Sequence, residues 1–178
     1  MGISSEVFAH DIPPELAAQV RPADTYSDNA GQVLLIHHAM GHGYGDWLAG
    51  LAGKKFLIYH NITPAHFFAD NDPIQSLLAQ GRQQLVQWQS WLQGAIGMSP
   101  YNSDELIKAG FSTRDVASIP LLVDLEQLAQ RRPDEALMAS FSQQERPVLL
   151  FVGRLTGNKR QLFLLDAMLH LKQLLPVK

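Results

Sequence analysis

The chain has 178 residues, of which 46% are apolar and 17% charged, the makeup of a globular, core-forming protein and not of a disordered tail. A net charge of −3, with no Lys/Arg-rich block interleaved with aromatics, gives no electrostatic reason to expect nucleic acid as a partner. No cysteine is present, which excludes disulfides and thiolate ligands or nucleophiles and agrees with a reducing cytoplasm.

The first residues, Met1-Gly-Ile-Ser-Ser-Glu-Val-Phe8, lack the basic and apolar regions of a signal peptide, and no apolar run reaches the length of a membrane span. The expectation is a soluble, cytoplasmic protein, with peripheral membrane contact left open. In chain order, Ser4 to Ala9 reads as a weak strand, and Pro13-Pro14-Glu15-Leu16 opens a short helix with proline at its start. The polar stretch from Asp24 to Gly31 is a turn region. Gln32-Val-Leu-Leu-Ile-His-His38 then predicts a buried strand ending in the glycine-rich loop His38-Ala-Met-Gly-His-Gly-Tyr-Gly45.

A short helix from Asp46 to Leu51 is closed by Gly53, and Lys55-Phe-Leu-Ile-Tyr-His60 predicts a second buried strand with the loop Asn61-Ile-Thr-Pro64 behind it. Two strands thus carry histidines at their carboxyl ends, where open parallel sheets hold ligands. Asp72-Pro73 caps a long helix marked by Ile74, Leu77, Leu78, Leu85, Trp88, Trp91 and Leu92. Gly94 to Ser99 is a small-residue strand, Pro100 to Ala109 a helix closed by Gly110, and Asp115 to Ile119 another strand. Leu125 to Phe141 is helical with a break at Pro133, and Ser142 to Arg146 is a polar linker.

Val148 to Val152 is a continuous apolar run of the kind that forms a parallel strand. It breaks at Gly153, and a polar turn with Arg154 and Lys159 leads into an apolar helix from about Gln161 to Leu175. A strand, a glycine turn, two cations and a helix N-terminus outline a site for an anion such as a diphosphate. Solvated loop cations are the plain alternative. The last helix is apolar over too much of its surface to face water, so the expectation is a second domain that is not finished, and a chain truncated at both ends.

Several stretches, in order, carry a family resemblance: His37-His-Ala-Met-Gly41, Leu57-Ile-Tyr-His-Asn-Ile-Thr-Pro64, Gly81-Arg-Gln-Gln-Leu85, Ser99-Pro-Tyr-Asn-Ser-Asp-Glu-Leu106 and Leu150-Phe-Val-Gly-Arg-Leu-Thr-Gly-Asn-Lys-Arg-Gln161. This set resembles family 4 glycosyltransferases of the GT-B fold. The resemblance implies an α/β fold: a Rossmann-like parallel sheet with flanking helices over residues 1–142, an incomplete acceptor-side domain, and the first strand and helix of a second Rossmann-like domain over residues 143–178. It implies a retaining sugar transferase that needs no metal and no resident cofactor, with a nucleotide sugar as donor and a glycan or lipid-linked acceptor. His60 would face the transferred sugar as the catalytic residue. Gly153, Arg154 and Lys159 would hold the donor diphosphate, and His38, Asn61 and Ser99 would line the cleft. The chain begins after the family's Gly-rich acceptor loop and stops before its paired-glutamate motif, so the isolated chain is expected to be inactive. Pro120-Leu-Leu-Val-Asp124 stands where many members have Pro-Asn-Gly-Val-Asp.

Each of these readings has a plainer competitor. His37, His38 and His42 as a metal cluster would need helical spacing that Gly41, Gly43 and Gly45 break. Capping explains Asp70-Asn71-Asp72 better than a metal-binding aspartate pair does, and core packing explains Trp88 and Trp91 better than sugar stacking. Glu105 reads as a surface or capping residue. A non-catalytic nucleotide-sugar-binding protein of the same fold stays open as the alternative function. A nicotinamide dehydrogenase lacks its Gly-x-Gly-x-x-Gly, and a serine hydrolase its Gly-x-Ser-x-Gly.

Overall fold

A computed structural model describes residues 3–143 and 148–174. The greater part of the expected linker, and the C-terminal residues from Leu175 on, lie outside them. The described chain is α/β, with a four-stranded parallel sheet flanked by helices and compatible with a Rossmann-like fold. Among these residues no helix is long and apolar enough to cross a membrane.

A small parallel pair opens the chain, β1 (Val7–Ala9) against β2 (Val20–Pro22). The main sheet is β3 (Val33–His38), β4 (Lys54–Tyr59), β5 (Gly94–Gly97) and β6 (Val116–Ser118), hydrogen-bonded in that same order. Its connections run through α1 (Gly45–Gly50), α2 (Ile74–Trp88) and α3 (Pro100–Lys108). Strands that neighbour one another in sequence order and are joined by right-handed crossovers place every connecting helix on one face. The burial follows this rule. Ile36, Leu57, Tyr59 and Ala95 point to one side and form the core with Leu78, Leu85 and Trp88 of α2, Leu106 of α3, and the loop residues Ile62 and Phe111.

The alternate residues point the other way, as the two-residue period of a strand requires. Val33 and Leu35 remain 61% and 55% exposed on that face. The reading of Gln32 to His38 as a strand buried on both sides is therefore corrected: the apolar run is continuous, but the helices reach only half of it.

Local chemistry accounts for the helix ends. Asp72 Oδ1 accepts from the Ile74 N–H at 3.0 Å ahead of α2, and Ser99 Oγ accepts from Asn102 N–H at 3.1 Å to cap α3. Gly110, with φ of +110°, follows α3 where a left-handed residue ends the helix. Pro133 does divide the next helical stretch, into α4 (Leu125–Ala129) and α5 (Glu135–Ser142).

Residues 148–152 form no strand, which corrects the expected first strand of a second domain. A strand exists only as a member of a hydrogen-bonded ladder, and among the described residues none pairs with this run. Its side chains stay open to solvent, from 42% at Phe151 to 83% at Val152. The helix behind it does form, α6 (Gln161–Leu174), with no buried residue.

Candidate functional site

The carboxyl ends of β3 and β4 bring together His37, His38, Tyr59 and His60. Register pairs His38 with Tyr59, and the ladder continues one step further, the His60 N–H donating to the His38 carbonyl at 3.0 Å. Directly after it, Asn61 takes a left-handed conformation, φ +62°, which asparagine tolerates better than most residues. That turn carries the chain away from the sheet edge and leaves His60 at the rim.

The ring of His60 meets His37, with Nδ1 of His37 2.7 Å from Nε2 of His60. Partial burial, with the neighbouring His60 adding to it, holds the His37 imidazole below its ordinary range. His37 was not among the expected site residues. The structure turns Ile36, Leu57 and Tyr59 inward, which puts His37 and His60 together on the opposite face, a phase that the uniformly apolar run before His37 does not show.

His38 was expected to line the cleft and does not. It points inward with 0% exposure, its Nε2 3.0 Å from the Gly81 carbonyl and its ring beside Trp88. A carbonyl only accepts, so Nε2 carries the hydrogen and the ring is the neutral Nε2–H tautomer. Nδ1 is buried without a partner. Burial lowers the imidazole to about 4, with the Gly81 contact opposing the shift and His42 adding to it. His37 and His38 thus face opposite sides of the sheet and cannot converge with His42 on one ion. Among the described residues no group of three or more His, Asp or Glu side chains is placed to hold a metal.

Beneath the rim a polar lock fixes the loop after β4. The Tyr59 hydroxyl donates to Glu105 Oε2 at 2.9 Å and accepts from the Ile62 N–H at 3.0 Å. Arg82 Nη2 donates to the Ile62 carbonyl at 2.6 Å and lies 3.4 Å from Glu105 Oε1. Burial, opposed by the Ile62 N–H and reinforced by Glu105, pushes the Tyr59 phenol up to about 12. Glu105 is thus no surface or capping residue. It joins α3 to β4 and α2 and, with Arg82, Leu85, Lys108 and Ala109, lines an open cavity of about 230 Å³. Asn61 is exposed at the rim, whereas Ser99, half-buried, has its hydroxyl engaged in capping α3.

In the C-terminal stretch, Gly153 is a bend, and the Lys159 side chain passes close to it, its Cγ 4.0 Å from where a Gly153 Cβ would stand. Arg154 is exposed, and its carbonyl accepts from Gln161 Nε2 at 2.6 Å. Among the described residues no hydrogen bond or ion pair joins the Arg154 guanidinium or Lys159 to another side chain, or either to His60. The turn Gly157–Lys159 rests against the segment after the His60 loop, where the Arg160 guanidinium lies 5.3 Å from the Phe67 ring centre. A pocket of about 420 Å³ opens beside it, lined by Leu155, Thr156, Gly157, Arg160, Gln161, Leu162 and Phe163.

No protein-family model, no characterised protein and no solved structure matches the chain.

Proposed function

We propose that this chain belongs to a retaining glycosyltransferase of GT-B organisation, which moves a sugar from a nucleotide-sugar donor to a glycan or lipid-linked acceptor. One observation carries the reading: His60 stands at the carboxyl end of a central parallel strand, within Tyr59-His-Asn-Ile-Thr-Pro64, in the place where open α/β sheets present ligand-binding groups. The resemblance of the ordered motifs supplies the chemistry. In this reading His60 faces the transferred sugar, and Asn61 shapes the rim beside it. Arg154 and Lys159 take the donor diphosphate, offsetting the negative charge that grows on the leaving nucleotide, while Gly153 lets the backbone approach it. The nucleotide sugar is itself the substrate, and no resident cofactor enters the scheme.

Calorimetric titration of the full-length protein with nucleoside diphosphates tests the diphosphate assignment. Replacing Arg154 with Ala removes a charge-assisted contact of roughly 1.5–3 kcal/mol, so affinity should fall about tenfold to a hundredfold. Unchanged affinity would remove Arg154 from the site.

A further inference from the structure

His37 and His60 project from neighbouring parallel strands onto the less covered face of the sheet, among Leu35, Ile58 and Ile96. Their ring centroids are 5.0 Å apart with planes inclined by 28°, and the contact itself is the 2.7 Å approach of His37 Nδ1 to His60 Nε2. At that separation one nitrogen must bear a hydrogen and the other a lone pair. Two N–H groups cannot face each other there, and two bare nitrogens would repel. The pair therefore keeps a single shared hydrogen whether its charge is 0 or +1, and the contact breaks only when a further proton arrives. The outer nitrogens, His37 Nε2 and His60 Nδ1, make no hydrogen bond within the described residues. Among those residues no other titratable side chain is hydrogen-bonded or ion-paired to either ring.

We propose that His37 is the positioning residue and proton relay of His60, holding its ring with Nδ1 outward and setting whether that nitrogen is bare or protonated. The role rests on the sugar-transfer reading only for the group that meets Nδ1, the attacking hydroxyl of the bound acceptor. The protons balance as follows. In one neutral form the shared hydrogen sits on His60 Nε2, His60 Nδ1 is bare, and His37 carries its other hydrogen on Nε2. When Nδ1 takes the proton of that hydroxyl, the hydroxyl oxygen bonds to the anomeric carbon as the bond from that carbon to the donor diphosphate breaks and the diphosphate leaves with the electron pair. Meanwhile the shared hydrogen passes to His37 Nδ1 and the Nε2 proton of His37 leaves to water. One proton enters at the site, one leaves at the solvent side, and neither ring retains an added charge. Partial burial together with the His60 charge lowers the His37 pKa, in keeping with a pair that resists double protonation.

Imidazole nitrogen NMR on the full-length protein, from about pH 5 to 8, decides the positioning role without substrate. A nitrogen–nitrogen coupling should link His37 Nδ1 to His60 Nε2, and His60→Gln should move the His37 titration up toward the ordinary imidazole value. Two rings that titrate independently, with the His37 curve unmoved by His60→Gln, would overturn the proposal. His37→Phe keeps a planar ring on an exposed strand position, and the emission of buried Trp88 checks that the fold survives. With a nucleotide-sugar donor this variant should lose about tenfold to a hundredfold in kcat and flatten the pH profile, with donor binding retained. An unchanged kcat and profile in an enzyme that does transfer sugar would overturn the relay. Coupled rings in a wild-type protein that transfers no sugar would uphold the positioning role and remove the transferase reading.

Discussion

His38 makes the folded chain sensitive to acid. Its ring is sealed at the end of β3 with one nitrogen unpartnered, and burial holds its pKa at about 4, against an ordinary value of 6.5. Between these two values the unfolded chain takes up a proton that the folded chain refuses, so stability falls as pH drops from 6.5 to 4 and is undisturbed by this group above 6.5. The difference amounts to about 3 kcal/mol. Denaturant unfolding at pH 7 and near pH 4 should show His38→Gln losing about that much less than the wild type over the interval. Equal losses would mean that His38 is not the acid-sensitive group. Which histidine faces inward was not legible in the sequence. Val33-Leu-Leu-Ile36 is apolar at every position, so the run predicts a strand but contains no alternation from which to read its phase.

At the scale of elements, α2 is placed by a backbone contact. The Gly41 N–H donates to the Leu77 carbonyl at 2.8 Å, and a Cβ on Gly81 would stand 2.7 Å from the Gly41 nitrogen. No side chain fits between the loop after β3 and the helix, and the same contact presents the Gly81 carbonyl to His38. Gly81→Ala should therefore destabilise by about 1–3 kcal/mol despite alanine's better helix propensity, measured as a loss in urea-unfolding free energy; a stability equal to or above wild type would refute the contact. The Gly81-Arg82 pair was visible in the sequence only as part of a resemblance, because the partners of both residues lie more than fifteen positions away. Glu105 was misread for the same reason, its partners Tyr59 and Arg82 belonging to other elements. The helices from Ile74 and Pro100, by contrast, were legible from caps and spacing, which act within a few residues. Val148 to Val152 shows the converse limit, since a run with strand composition stays irregular when no neighbouring strand completes its ladder.

For the molecule as a whole, the sheet order matters more than the number of strands. Because β3 to β6 lie side by side in chain order, all three crossover helices cover one face, and the core is one-sided. Leu57 at 0% exposure and Leu35 at 55% have the same side chain on opposite faces. Leu57→Ala should cost about 2–5 kcal/mol, and Leu35→Ala under about 1 kcal/mol; similar losses for the two would mean that the second face is packed. Parallel strands joined by helices were readable from the alternation of segment types, but not the single covered face, which depends on strand order. The less covered face is also the one that bears His37 and His60, at the rim where the proposed chemistry takes place.

The central claim is that this rim serves sugar transfer, and the most direct measurement is turnover of nucleotide-sugar donors by the full-length protein and its His60→Gln variant, with donor affinity followed in parallel. The account predicts transfer with retained anomeric configuration in the wild type, and a loss of about a hundredfold or more in kcat for the variant, with donor binding little changed. Equal turnover by the two proteins, or no transfer from any nucleotide sugar by the wild type, would contradict it.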